Sequence, residues 1–173
     1  EKFCIILVGF LIVYVFFEAL LRPLSSWDGW AIWHLKSKIF FIDGYINPDI
    51  FSYVKSDYPI LTSLAGTYLY IALGSVNDTF VLVLYPLFYV SLASIFYFSL
   101  RRYVKRVWAL QFTLILLSMS SLVRQAGRFD GGYADIALSV FVLSCFVSLF
   151  NYIKSKNISW LIMSGFFSAF APM

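Results

Sequence analysis

From Phe3 to Leu21 the chain is apolar except for Glu18. At a rise of 1.5 Å per residue, a helix over this run matches a hydrocarbon core of about 30 Å. A cleaved signal peptide would be shorter and would end in small residues, which "FFEALLRP" does not, so the run reads as a retained anchor. Composition extends the same reading to the whole chain. Only 13% of its 173 residues are charged, against about a quarter in an ordinary soluble domain, and mean hydropathy is +0.84. The expected fold class is an all-α polytopic membrane protein.

Further apolar stretches follow, and they divide the chain. Residues 22–78 form a polar and aromatic region that holds the short apolar segment 58–74. Spans are expected over 79–100, 107–123 and 135–150, and another begins at 158. A basic turn, "RRYVKR" (101–106), separates the second span from the third, and the loop 124–134 separates the third from the fourth. Glu1 stands where Met would begin a whole polypeptide, and the sequence stops within apolar "SGFFSAFAPM", as expected of a piece of a longer protein. Cys4 and Cys145 fall within expected spans, where they act as small apolar residues, and no disulfide is expected. The net charge of +4 is spread over the ends of apolar segments instead of forming one basic face, so no nucleic-acid partner is expected.

Segment 58–74 decides the topology. If it lies along the membrane surface, the basic turn and "YIKSK" share the cytoplasmic side, and loops 22–78 and 124–134 share the other. This is the arrangement that the positive-inside rule favours. The expectation is four complete spans, the start of a fifth, and two interfacial helices in the first outer loop. The first interfacial helix includes "WDGWAIWHLKSKIFF". Ser25 and Asp28 have capping-box spacing, Ile32, Leu35, Ile39 and Ile42 form one apolar stripe, and Trp30, Trp33 and Phe40 line another side. Lys36 and Lys38 flank it as snorkelling residues.

Three aspartates then share one face of the membrane. Each has a structural alternative: Asp28 complements a helix dipole, Asp57 opens a turn before Pro59, and Asp135 caps a helix. Taken together, acids held at a lipid boundary favour function, because carboxylates lining one cavity suit proton abstraction or a divalent ion. Arg124 and Arg128 run against the positive-inside trend and suit phosphate oxygens. Lys36 is a further candidate for a lipid phosphate. His34, the sole histidine, has no partner at metal-ligand spacing and is expected to contact headgroups; Glu18 and Arg22 are spaced as a helical ion pair.

An anchor, an Asp-bearing outer loop with a horizontal helix, "DYP", a hairpin with a basic turn and "YAD" resemble the membrane-integral GT-C superfamily of glycosyltransferases. The branch most similar is that of the protein O-mannosyltransferases and aminoarabinose transferases, whose bacterial relatives carry "WDAW" and "PDYP" where this chain has "WDGW" and "SDYP". The resemblance covers most of the chain and corresponds to the amino-terminal third of such an enzyme. It implies a polyprenyl-phosphate-linked sugar as donor, a hydroxyl on a glycan, lipid or protein as acceptor, inversion at the anomeric carbon, and an outward-facing site in a bacterial or archaeal plasma membrane. It also implies that Asp28 and Asp135 are catalytic, that Arg124, Arg128 and Lys36 contact substrate phosphate, and that Asp57 with Asp28 holds a divalent metal ion in some members. Gly29, Ala31 and Tyr58 depart from the pattern, standing where relatives have an acidic residue, a basic residue and a lysine. The alternative class is a transporter or channel that uses intramembrane carboxylates; a structural membrane segment without chemistry is a third.

Overall fold

The computed structural model describes residues 1–54, 58–127 and 130–170, apart from the side chains of Phe51 and Tyr53. Every regular element among them is helical: α1 (Lys2–Leu21), a π turn (Gly29–Trp33) running into α2 (His34–Asp43), α3 (Ile50–Tyr53), α4 (Leu61–Leu73), a 3₁₀ turn (Phe80–Val83) running into α5 (Leu84–Leu100), α6 (Arg106–Leu117), α7 (Ser120–Gly127), α8 (Asp135–Ser155) and α9 (Ile158–Phe170).

Among the described residues three helices are long and apolar enough to cross a membrane: Lys2–Leu21, Phe80–Leu100 and Asp135–Ser155. The run 107–123 is not one straight helix. It is divided between α6 and α7, which meet at an angle of 67°, and counting the bent pair as one span gives a fourth. At 1.5 Å per residue α6 alone falls well short of a 30 Å core. The break leaves helix-end carbonyls without intrahelical partners, and the buried Tyr89 hydroxyl donates to one of them, the Leu117 oxygen, at 2.7 Å. The fourth expected span extends past 150 to Ser155.

Contacts between chain segments fix which helix ends lie together. The Leu24 amide donates to the Asp78 carbonyl at 3.0 Å, which joins the exit of α1 to the entry of Phe80–Leu100. At the opposite end Arg106 pairs with Glu1 at 2.9 Å, beside the basic turn that follows Leu100. The loop before α8 returns to the first end, where Ser26 Oγ donates to the Gly131 carbonyl. Loops 22–78 and 127–135 therefore share one end of the bundle, and the 101–106 turn lies at the other.

The core between the helices gathers Val15, Ala19, Val81, Tyr85, Tyr89, Leu117, Ala126 and Ile136. Gly127 permits the close crossing of α7 over α1, since a Cβ there would lie within contact distance of the Val15 carbonyl oxygen. In the region between α1 and α5, α4, at 13 residues too short to span, packs against α2. This contact is polar and small-sided. Ser63 Oγ donates to the Trp33 carbonyl at 2.7 Å, Ser37 Oγ to the Ser63 carbonyl at 2.8 Å and Thr67 Oγ1 to the Ser37 carbonyl at 3.2 Å. Gly66 keeps the gap narrow, because a Cβ there would sit 2.9 Å from His34 Nδ1. Small residues allow backbones to approach in the same way between membrane helices.

That packing corrects the expected face of the first interfacial helix. The π turn inserts an extra residue just before α2, and α2, packed on α4, buries His34, Lys36, Ser37 and Phe40. Ile32, Leu35 and Ile39 join the same apolar cluster as Trp33, whereas Ile42 at the end of the stripe is 72% exposed. Lys36 does not snorkel. It is fully buried, with Nζ 3.4 Å from the Tyr58 carbonyl. His34 is likewise buried and does not face headgroups; its Nε2 is 2.8 Å from the Tyr85 hydroxyl. Glu18 and Arg22 do form their pair, loosely, at 3.8 Å.

Candidate active site

Residues 27–43 are helical, and Asp28 sits in the first turn, directly before the π turn. The expected capping box is not formed, since Asp28 makes no side-chain cap hydrogen bond. One position after Ser25, Ser26 instead ties this helix start to the Gly131 carbonyl of the second loop. The two loops touch at glycines. A Cβ on Gly29 would lie 3.1 Å from Gly132 Cα, and one on Gly132 would lie 3.0 Å from Gly29 Cα and 2.7 Å from Leu24 Cδ1. Gly132 also has φ +106°, a backbone region that L side chains rarely adopt. Gly29, the departure from the acidic pattern of the resembled family, is thus the residue that lets the second loop close on the first.

Next to this contact is a half-open cavity of about 360 Å³ that both Asp28 and Asp135 line. Trp33 and Tyr58, stacked with ring centroids 5.4 Å apart, form one wall. Thr62 and Tyr133 add hydroxyls, and Ala137, Leu138 and Phe141 carry an apolar surface along α8 away from Asp135. Phe170 of α9 stacks on Phe141 at 6.0 Å and completes that surface. Asp28 is half-buried and Asp135 exposed, with an Asp135 oxygen 3.4 Å from the Gln125 side-chain nitrogen.

Tyr133 belongs to this site although the sequence reading gave it no role. Burial and the neighbouring carboxylates of Asp28, Asp130 and Asp135 raise the pKa of its phenol, while a hydrogen bond from the Asp28 backbone works the other way. The phenol therefore stays protonated and able to donate beside Asp28. Only the "YAD" motif itself pointed to it.

The basic candidates are placed differently. Arg124 is outside the cavity lining and holds Asp130 through two nitrogens, at 2.9 and 3.2 Å. Lys36 lies behind the Tyr58 wall instead of in the cavity. Arg128 and Asp57 fall outside the described residues. Among the described residues no three His, Cys, Asp or Glu side chains gather as metal ligands, so Asp28 there has no ready-made set of co-ligands.

Lys38 of α2, Tyr70 of α4 and Asp78 form a second polar cluster that the sequence did not reveal. Lys38 pairs with Asp78 at 2.8 Å, and Tyr70 approaches the same carboxylate at 3.4 Å. Burial, only partly offset by Asp78 and reinforced by Lys38, pushes the His34 pKa down to about 4 from 6.5. The folded protein holds this imidazole neutral, so its contribution to stability is full above pH 6.5 and is lost as pH falls towards 4. The loss is on the order of 3 kcal/mol by linkage. Thermal unfolding in detergent at pH 7 and pH 4.5 is expected to show this drop, and His34→Gln, which cannot titrate, to reduce it. An unchanged pH dependence in the variant would contradict the assignment.

Compared with known proteins, the chain matches no family model, no curated protein and no solved structure.

Proposed function

We propose that the chain forms part of a GT-C-like glycosyltransferase, which moves a sugar from a polyprenyl-phosphate carrier to an acceptor hydroxyl with inversion, at the membrane face opposite the basic turn. The observation that supports this best is the shared cavity: two carboxylates from separate loops meet an apolar wall that continues along α8. An amphipathic donor needs both surfaces, one for its polar sugar phosphate and one for its lipid. Asp28 takes the proton of the acceptor hydroxyl. The acceptor oxygen bonds to the anomeric carbon opposite the phosphate, and the carbon–oxygen bond to phosphate breaks, its electron pair leaving with the lipid phosphate. Tyr133, kept protonated, donates a hydrogen bond to an oxygen of the substrate, and Asp135 binds sugar hydroxyls on the other side of the cavity. Arg124 reaches the leaving phosphate only by giving up Asp130. No step is routed through a metal.

A transporter places its carboxylates near the midplane on interrupted helices, whereas Asp28 and Asp135 each occupy the first turn of a helix. That position suits chemistry at the membrane surface. The test is incubation of the membrane-reconstituted protein with labelled polyprenyl-phosphate hexoses and pentoses and a panel of hydroxyl acceptors. Label is expected to move to an acceptor with inverted anomeric configuration. Donor that stays intact with every acceptor, or that only hydrolyses, would overturn the proposal.

A further inference from the structure

The end of the bundle remote from the cavity carries Arg101, Arg102, Lys105, Arg106, Lys154 and Lys156. Arg106 is paired with Glu1. Among the described residues, Arg102 and Lys154 have no carboxylate within ion-pair distance. They are nevertheless held in place. Arg102 donates to the buried Asn151 side chain at 2.8 Å and lies 5.7 Å from the Trp160 ring centroid. Lys154 Nζ stands 4.0 Å over the Tyr103 ring and 4.8 Å over that of Phe150, and these two rings meet edge to face at 5.6 Å. Ring faces attract cations without neutralising them, so both charges stay available to an anion.

A groove of about 380 Å³ runs between the end of α5 and α8 beside these cations. Arg102 and Asn151 are at its polar end, Tyr103 borders it, and Phe146, Val147 and Phe150 continue it along α8. Phe146 remains 64% exposed. A soluble anion would use only the charged end of such a groove. A molecule that uses all of it has a phosphate at one end and a hydrocarbon chain at the other, and the excess of positive charge selects one with net negative charge.

We infer that this groove binds an anionic phospholipid, its phosphate between Arg102 and Lys154 and one acyl chain along Phe146, Val147 and Phe150. The site is independent of the proposed transfer reaction and lies at the other end of the molecule. Native mass spectrometry of protein released from membranes of equal phosphatidylcholine and phosphatidylglycerol content tests it. One phosphatidylglycerol is expected to be retained, enriched about fivefold over phosphatidylcholine. Arg102→Gln with Lys154→Gln brings the ratio close to one. Val147→Trp, which fills the groove and keeps every charge, also lowers it, whereas Arg101→Gln with Lys105→Gln leaves it. Equal retention of the two lipids by the wild type would overturn the inference. So would an equal loss in the Arg101/Lys105 variant, the mark of a diffuse charge effect, or displacement of the bound lipid by millimolar inorganic phosphate, the mark of a free-anion site.

Discussion

If the chain carries out the proposed sugar transfer, Asp28→Asn is expected to lower its rate by roughly 10²–10⁴-fold, the range a positioned general base supplies. The amide keeps the volume of the carboxylate and cannot accept the acceptor's proton at neutral pH. Stability should hardly change, because the Asp28 side chain makes no cap hydrogen bond to lose. Asp135→Asn serves as the comparison. Its carboxylate is exposed and makes one long contact with Gln125, and in the proposed reaction it binds sugar instead of taking the proton, so its loss is expected to raise KM more than it lowers kcat. The measurement is steady-state transfer by both variants in vesicles, alongside their unfolding temperatures. Wild-type kcat in a folded Asp28→Asn protein would remove Asp28 from the chemistry.

Gly132→Ala is expected to destabilise the protein by roughly 2–5 kcal/mol, a large structural effect for a single methyl addition. Two costs combine. A positive φ penalises any Cβ by about 1–2 kcal/mol, and forcing atoms into a filled space adds about 1–3 kcal/mol. The new Cβ would meet Leu24 Cδ1 and the Gly29 backbone, so relief requires the two loops to separate. Gly44→Ala isolates the first cost. Gly44 has φ +75° at the end of α2, but nothing lies within 4 Å of a Cβ there. Chemical unfolding should therefore show Gly44→Ala losing about 1–2 kcal/mol and Gly132→Ala clearly more. Equal losses in the two variants would mean that the loops are not in contact at Gly132.

Much of the helical layout was legible because hydrophobic length is a property of single segments. The run Phe3–Leu21 and the span ending at Leu100 needed no tertiary information. The bend between α6 and α7 did, since residues 107–123 are apolar throughout most of their length and the Tyr89 hydroxyl that satisfies the break comes from another helix. The face of α2 was misread for a related reason. The stripe Ile32, Leu35 and Ile39 does pack inward, but Trp33 and Phe40, which spacing set on another side, join the same cluster because a second segment, with Ile50 and Val54, covers both. The groups that bury His34 and Lys36 come from distant segments: Tyr85 and Gly66 lie against His34, and the Tyr58 carbonyl meets Lys36. Asp28 and Asp135 stood out because acidic groups held at a lipid boundary are costly. Tyr133 and Asp78 did not, one because tyrosine is ordinary at a membrane surface and the other because its partner Lys38 is 40 residues away. Arg124 looked free for phosphate, and Asp130, six residues on, claims it.

Disulfide trapping across the two outer loops is the most direct measurement of all. With Cys4 and Cys145 replaced by Ser, Ser26→Cys and Gly131→Cys place thiols where the Ser26 hydroxyl now donates to the Gly131 carbonyl. Mild oxidation of membranes containing the double variant should close an intramolecular bond, because bridged Cα atoms stand about 4.4–6.8 Å apart, while Ser26→Cys with Tyr103→Cys at the basic end should form none. Free thiols at 26 and 131 after oxidation would mean that the two loops do not meet, and Asp28 and Asp135 would then have no cavity in common.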